Sequence, residues 1–91
     1  MNTISSLQYF VYILRCVDDT LYTGITNDLA RRLIMHQTGR GGMYTRAHPG
    51  VAMVYVEKCA RRGEALRREI VIKKLSRAQK LALIVEYEKA K

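Results

Sequence analysis

From Gln8 to Cys16 the apolar residues fall on both sides of the alternation, which predicts a strand covered on both faces, the central one of its sheet. Val17-Asp18-Asp19-Thr20 supplies turn chemistry and Leu21 to Ile25 returns as a short strand, so the first unit is a hairpin with Tyr12 and Tyr22 in neighbouring strands. Thr26, Asn27 and Asp28 can each cap a helix whose apolar stripe, Leu29, Leu33 and Ile34, runs to about Gln37 before Thr38-Gly39 ends it. Four glycines and the only proline, Pro49, then mark a basic loop from Gly39 to Gly50 that carries Arg40, Tyr44, Arg46 and His48. Val51 to Cys59 predicts a third strand. Gly63 to Leu75 predicts a helix with Ala65, Leu66, Ile70, Val71 and Ile72 as its apolar set. Ser76 and Gln79 form a capping box for a last helix reaching about Tyr87, with Leu81, Ile84, Val85 and Tyr87 expected toward the sheet.

Charged residues sit unexpectedly within this apolar pattern. At 100° per residue, Glu69 falls inside the apolar arc of its helix, and burying an ionised carboxylate costs several kcal/mol unless it is paired or bound to metal. Lys73, four residues on, offers an ordinary helix ion pair; a site facing the body of the protein is the other reading. On the first helix Arg32 and His36 lie beside Leu29 and Leu33, whereas Arg31 points away. One arginine is therefore turned toward the sheet, either snorkelling along apolar surface or serving chemistry there.

Composition narrows the partners. Ninety-one residues suit one domain, taken here as 1–91. Sixteen Lys plus Arg against eight Asp plus Glu leave a net charge of +8, and thirteen of the cations but only three of the acids lie between Arg31 and Lys80. Such a field attracts polyanions, nucleic acid first among them. No apolar run approaches the ~20 residues that span a bilayer, and Met1 to Leu7 lacks a basic leader, so no membrane association and a cytoplasmic location are expected. Cys16 and Cys59, expected at opposite ends of the sheet, make neither a disulfide nor a zinc site with two histidines at the wrong spacing.

Phe10-Val11-Tyr12, Tyr22-Thr23-Gly24 with its tyrosine ten residues later, and Arg32 ten further on together resemble the signature of the GIY-YIG nuclease superfamily. His36 and the Glu69 of Ala65-Leu66-Arg67-Arg68-Glu69 also fall where that pattern has a His, in some branches, and a metal-binding Glu. The resemblance runs from Phe10 to about Leu75 and is closest to small stand-alone bacterial members. The loop Gly41-Gly42-Met43-Tyr44-Thr45-Arg46 is similar to the structure-specific branch, which cuts branched DNA. Phe10, Val11 and Thr23 replace the motif's glycine and two isoleucines; Ile25 stands where the excision-repair branch has Lys, and no downstream Asn follows Glu69.

The fold the resemblance implies is α/β of the α+β type, a small three-stranded antiparallel sheet flanked by about three helices. The activity it implies is metal-dependent hydrolysis of phosphodiester bonds in DNA, branched or structured DNA included; a non-catalytic nucleic-acid-binding module on the same fold is the alternative. By carry-over Glu69 holds a divalent cation, usually magnesium, Arg32 stabilises the phosphate, and Tyr12 or Tyr22 positions or deprotonates the attacking water, with His36 as proton acceptor. Tyr22 is expected at the water and Tyr12 at the metal-bound water, while Gly24 gives substrate close access to Tyr22. Arg40, Tyr44, Arg46, His48 and Lys73 are expected to contact nucleic acid.

Overall fold

The computed structural model describes residues 8–40 and 46–91. Strands β1 (Tyr9–Cys16) and β2 (Leu21–Thr26), helix α1 (Leu29–Gln37), strand β3 (Gly50–Cys59) and helices α2 (Arg62–Lys73) and α3 (Arg77–Lys89) follow in that order. The strands form one antiparallel sheet, β2-β1-β3, so the strand with apolar residues on both sides is the central one. Val11, Tyr12, Ile13 and Leu14 are all buried, which only a strand covered on both faces permits. No helix among the described residues is long and apolar enough to cross a membrane.

Alternation assigns the two faces. Val11 and Ile13 join Cys59, Ala65 and Ile72 in a core that Leu83 and Ile84 of α3 close from outside. Tyr12 and Leu14 point the other way, toward the side on which α1 brings His36. The hairpin turn is held by Asp18, whose Oδ1 accepts from the Thr20 hydroxyl at 2.7 Å, with Asp19 in the left-handed region at φ 70°. Of the three candidate caps for α1, Asp28 is the one used: its Oδ1 accepts from the Arg31 amide at 3.1 Å. The Ser76–Gln79 capping box forms as expected.

The helix phases depart from expectation at three places. On α1, Ile34 of the expected apolar stripe is 59% exposed, because it lies about 100° round the helix from Leu33 and about 160° from buried His36. On α2, Ala65 and Ile72 are buried but Ile70 and Val71 are exposed, because they lie on either flank of the line joining the two buried residues. On α3, Leu83 and Ile84 meet the core and Tyr87 packs on Tyr55 at 5.4 Å between ring centroids, whereas Leu81 and Val85 remain 41% and 52% exposed. That helix is apolar nearly all round, so periodicity alone cannot choose its phase. Docking on one edge strand covers only a narrow stripe.

A polar clamp fixes α2. Arg68 donates from Nε and Nη2 to the two carboxylate oxygens of Glu57 on β3, at 2.8 and 3.0 Å, and the Tyr55 hydroxyl donates to the same carboxylate at 2.9 Å. Cys16 and Cys59 are both buried and free; they pair with Gly50 and Tyr9 at opposite ends of the sheet, and burial raises both thiol pKa values.

Candidate active site

The hairpin register builds the site. Tyr12 lies directly opposite Gly24, and Leu14 opposite Tyr22, so the two tyrosines share one face on a diagonal with ring centroids 6.4 Å apart. A Cβ at Gly24 would stand 2.5 Å from the Tyr12 hydroxyl, 2.8 Å from its Cζ and 3.2 Å from Cε2 of Tyr22. The space left by the missing side chain is thus occupied by Tyr12 itself. This corrects the expectation that Gly24 opens a path for substrate: it seats one tyrosine across the neighbouring strand.

Helix α1 supplies the other half. Arg32 is half-buried toward the sheet while Arg31 is exposed, as the helix phase requires. His36 is fully buried, with Nε2 2.8 Å from the Tyr12 hydroxyl and its ring edge-on to Tyr22 at 5.2 Å. Burial, then the Arg32 charge, lower the His36 pKa below its ordinary value. The imidazole is therefore neutral at pH 7. Burial, then neighbouring Tyr22 and Glu69, raise the Tyr12 phenol well above its ordinary range, against the lowering influence of Arg32. With both groups neutral, the tautomer sets the direction of the bond: Tyr12 O–H donates to Nε2 when the imidazole proton is on Nδ1, and Nε2–H donates to the Tyr12 oxygen when it is on Nε2.

Glu69 projects from α2 with its side chain 18% exposed, and Lys73 Nζ lies 3.1 Å from its Oε2. The i,i+4 ion pair is thus present. Its carboxylate is also felt at Tyr12, so the pair does not remove it from the tyrosine cluster electrostatically. Among the described residues no three His, Cys, Asp or Glu side chains gather as a ready-made metal cage. A single partly buried carboxylate fits a hard cation of the magnesium type, which keeps most of its waters and takes further oxygens from a substrate phosphate. It does not fit a tightly held structural metal.

The basic loop residues divide. Arg40 and Arg46 are exposed. His48 pairs through Nδ1 with Oδ2 of Asp18 at 2.5 Å, and the Val17 amide donates to the Pro49 carbonyl at 2.8 Å, so this end of the loop is fastened to the hairpin turn. The Thr20 hydroxyl, then His48, hold Asp18 down to about 2. Tyr44 lies outside the described residues. The structure therefore joins Tyr12, Tyr22, Arg32 and His36, with the Glu69 charge raising the Tyr12 phenol, and sets His48 on a different carboxylate. The seat at Gly24 and the Glu57 clamp beside Glu69 escape a reading of the sequence, because both depend on strand register.

A hairpin presenting two tyrosines on one face, a helix returning an arginine and a histidine to it, and a second helix carrying Glu69 make up a small α+β domain. The model of the GIY-YIG catalytic domain matches residues 8–82, and the chain belongs to that family. It is similar to the UPF0213 protein OB0043 of Oceanobacillus iheyensis, 51% identical over 77 residues covering 85% of this chain and 90% of the relative. It is likewise similar to the UPF0213 protein CPE1444 of Clostridium perfringens, 51% identical over 75 residues covering 82% and 81%. The solution NMR structure of the UPF0213 protein BH0048 from Bacillus halodurans has the same fold, with 38% identity, 87% and 84% coverage and a TM-score of 0.56.

Proposed function

We propose that this protein is a divalent-metal-dependent endonuclease that hydrolyses phosphodiester bonds in DNA, with branched or structured DNA as its substrate class. The observation that carries the reading is the buried 2.8 Å bond between the Tyr12 hydroxyl and a neutral His36, with Tyr22 edge-on to the imidazole and the Arg32 charge felt at both partners. A buried polar group this close to a sheet needs a partner, but the combination of two phenols, a neutral imidazole and a guanidinium exceeds what packing requires.

Each group has a chemical role. Attack by water on phosphorus forms one P–O bond and breaks another, and negative charge grows on the phosphate and leaving oxygens. Arg32, with its planar fork, binds the phosphate and stabilises that charge. Tyr22, half-buried rather than sealed, faces the water. Tyr12 is too deeply buried to meet it; its hydroxyl instead holds the His36 ring, making Tyr12 a positioning residue. Neutral His36 is buried as completely as Tyr12, so it meets no water directly and receives the water's proton only by way of Tyr22, whose ring it meets edge-on. A divalent cation held by Glu69 would polarise the phosphate.

The Glu69–Lys73 ion pair favours the second reading, a nucleic-acid-binding module without turnover. Incubating the pure protein with linear, nicked and branched DNA, in magnesium and in chelator, separates the two. Cleavage in magnesium that Glu69→Ala abolishes while DNA binding persists is the expected result. Retention of DNA without cleavage by the wild-type protein under every condition would leave only the binding module.

A further inference from the structure

A second side of α1 carries a feature that the site does not use. Asp28, Ala30, Arg31, Ile34, Met35 and Arg40 line an open groove of about 550 Å³. Its floor is apolar: Ile34 is 59% exposed there, beside Met35 and Ala30. Its rim is cationic. Neither Arg31 nor Arg40 has an acidic partner among the described residues. Arg40 is held at the end of the helix by its amide, which donates to the Met35 carbonyl at 2.6 Å. The one acid in the groove, Asp28, already accepts the Arg31 amide as the helix cap.

We propose that this groove receives an unpaired nucleotide of a nucleic-acid strand, its base lying on Ile34 and Met35 and its flanking phosphates on Arg31 and Arg40. The inference rests on the nuclease reading only for the identity of the polyanion. The apolar floor decides between strand types: a duplex shows its phosphates to Arg31 and Arg40 but hides its base faces in the stack, whereas a single strand offers both. The volume falls in the range that holds a small organic ligand. Location agrees with the substrate class. Met35 and Arg31 lie about 60–100° round α1 from Arg32 and Ile34 about 160°, so a strand gripped at Arg32 reaches the groove by passing round the helix over Met35 and Arg31. The protein would then hold the frayed or branched arm beside the bond it cuts.

The test reads binding, not cleavage. Wild-type protein with labelled Ile and Met methyl groups is titrated in EDTA with a short oligothymidylate and, separately, with a duplex of equal length. The Ile34 and Met35 methyl signals are expected to move with the single strand and hardly with the duplex. Ile34→Ser should weaken single-strand binding about three- to tenfold with duplex binding unchanged. Arg31→Gln with Arg40→Gln should lower the salt slope for both by about two. Single-strand binding unaffected by Ile34→Ser, or methyl shifts confined to other residues, would overturn the groove even if the enzyme cleaves. Shifts at Ile34 and Met35 in a protein that never cleaves would uphold the groove and remove the nuclease reading instead.

Discussion

The Tyr12 hydroxyl, seated where Gly24 has no side chain, meets His36 Nε2 at 2.8 Å, so a strand, its hairpin partner and a helix converge on one hydrogen bond. Because burial lowers the His36 pKa and raises that of Tyr12, the bond joins two neutral groups. Its consequences for rate and for stability can be measured separately.

The two tyrosines are expected to fail differently on loss of the hydroxyl. Tyr22→Phe should lower the single-turnover rate about 10²–10⁴-fold, the usual size for a group that handles the water's proton. Tyr12→Phe should cost less at the pH optimum and move the acidic limb of the pH–rate profile, since His36 loses its partner. Comparing both variants at saturating DNA checks the assignment: a Tyr22→Phe enzyme as fast as wild type, beside a crippled Tyr12→Phe, reverses it.

Gly24→Ala should destabilise the fold by about 1–3 kcal/mol, because its methyl carbon enters the space of the Tyr12 ring, which is packed on every side. Most of the cost comes from Tyr12, with a smaller part from Tyr22 Cε2 at 3.2 Å. In a Tyr12→Leu background the same substitution should cost markedly less, and a double-mutant cycle of urea midpoints should return a coupling of about 1 kcal/mol or more.

The His36 shift has a definite sign. Between its lowered folded pKa and the ordinary value of 6.5, the unfolded chain binds a proton that the folded chain does not, so stability rises with pH across that window. The contribution is complete above about pH 6.5 and is lost as pH falls below it. His36→Gln should flatten the dependence of the denaturation midpoint between pH 5 and 7.5. Asp18 is depressed too, but in a lower window, losing its contribution only as pH falls from 3.8 toward about 2.

Thr23 occupies the place of a motif isoleucine, and its buried hydroxyl has no hydrogen-bond partner among the described residues. Thr23→Val keeps the shape and removes the orphaned oxygen. A gain of about 1 kcal/mol, or ~4–8 °C in Tm for a chain of this size, is expected by calorimetry.

The elements were legible where local chemistry decides them. Apolar residues on both sides of the β1 alternation require a central strand, and Ser76 with Gln79 requires a helix start. The turn of Arg32 toward the sheet follows from helix phase in the same way. What stayed hidden depends on register. Gly24 faces Tyr12 rather than Tyr22 only because the turn sets the pairing, and the shift between Ile13 and Leu14, where the pairing on β3 moves from Tyr55 to Met53, leaves no mark in composition. Leu81 and Val85 were expected inside for a related reason: an all-round apolar helix takes its phase from the surface it docks on. The neutral state of His36 arises from burial, which no spacing reports.

Arg68 and Glu69 are neighbours on α2, and Glu57 grips the first with two bonds. That grip works as a stop against rotation of the helix about its own axis. With side chains reaching ~5–6 Å from the axis, a roll of roughly 10° would sweep the Glu69 carboxylate through about 1 Å, an error that can cost a reaction ~10²-fold. The position of the Glu69 carboxylate is thereby set from β3, and under the proposed nuclease reading loosening Glu57 would blur it without altering any residue assigned to the chemistry.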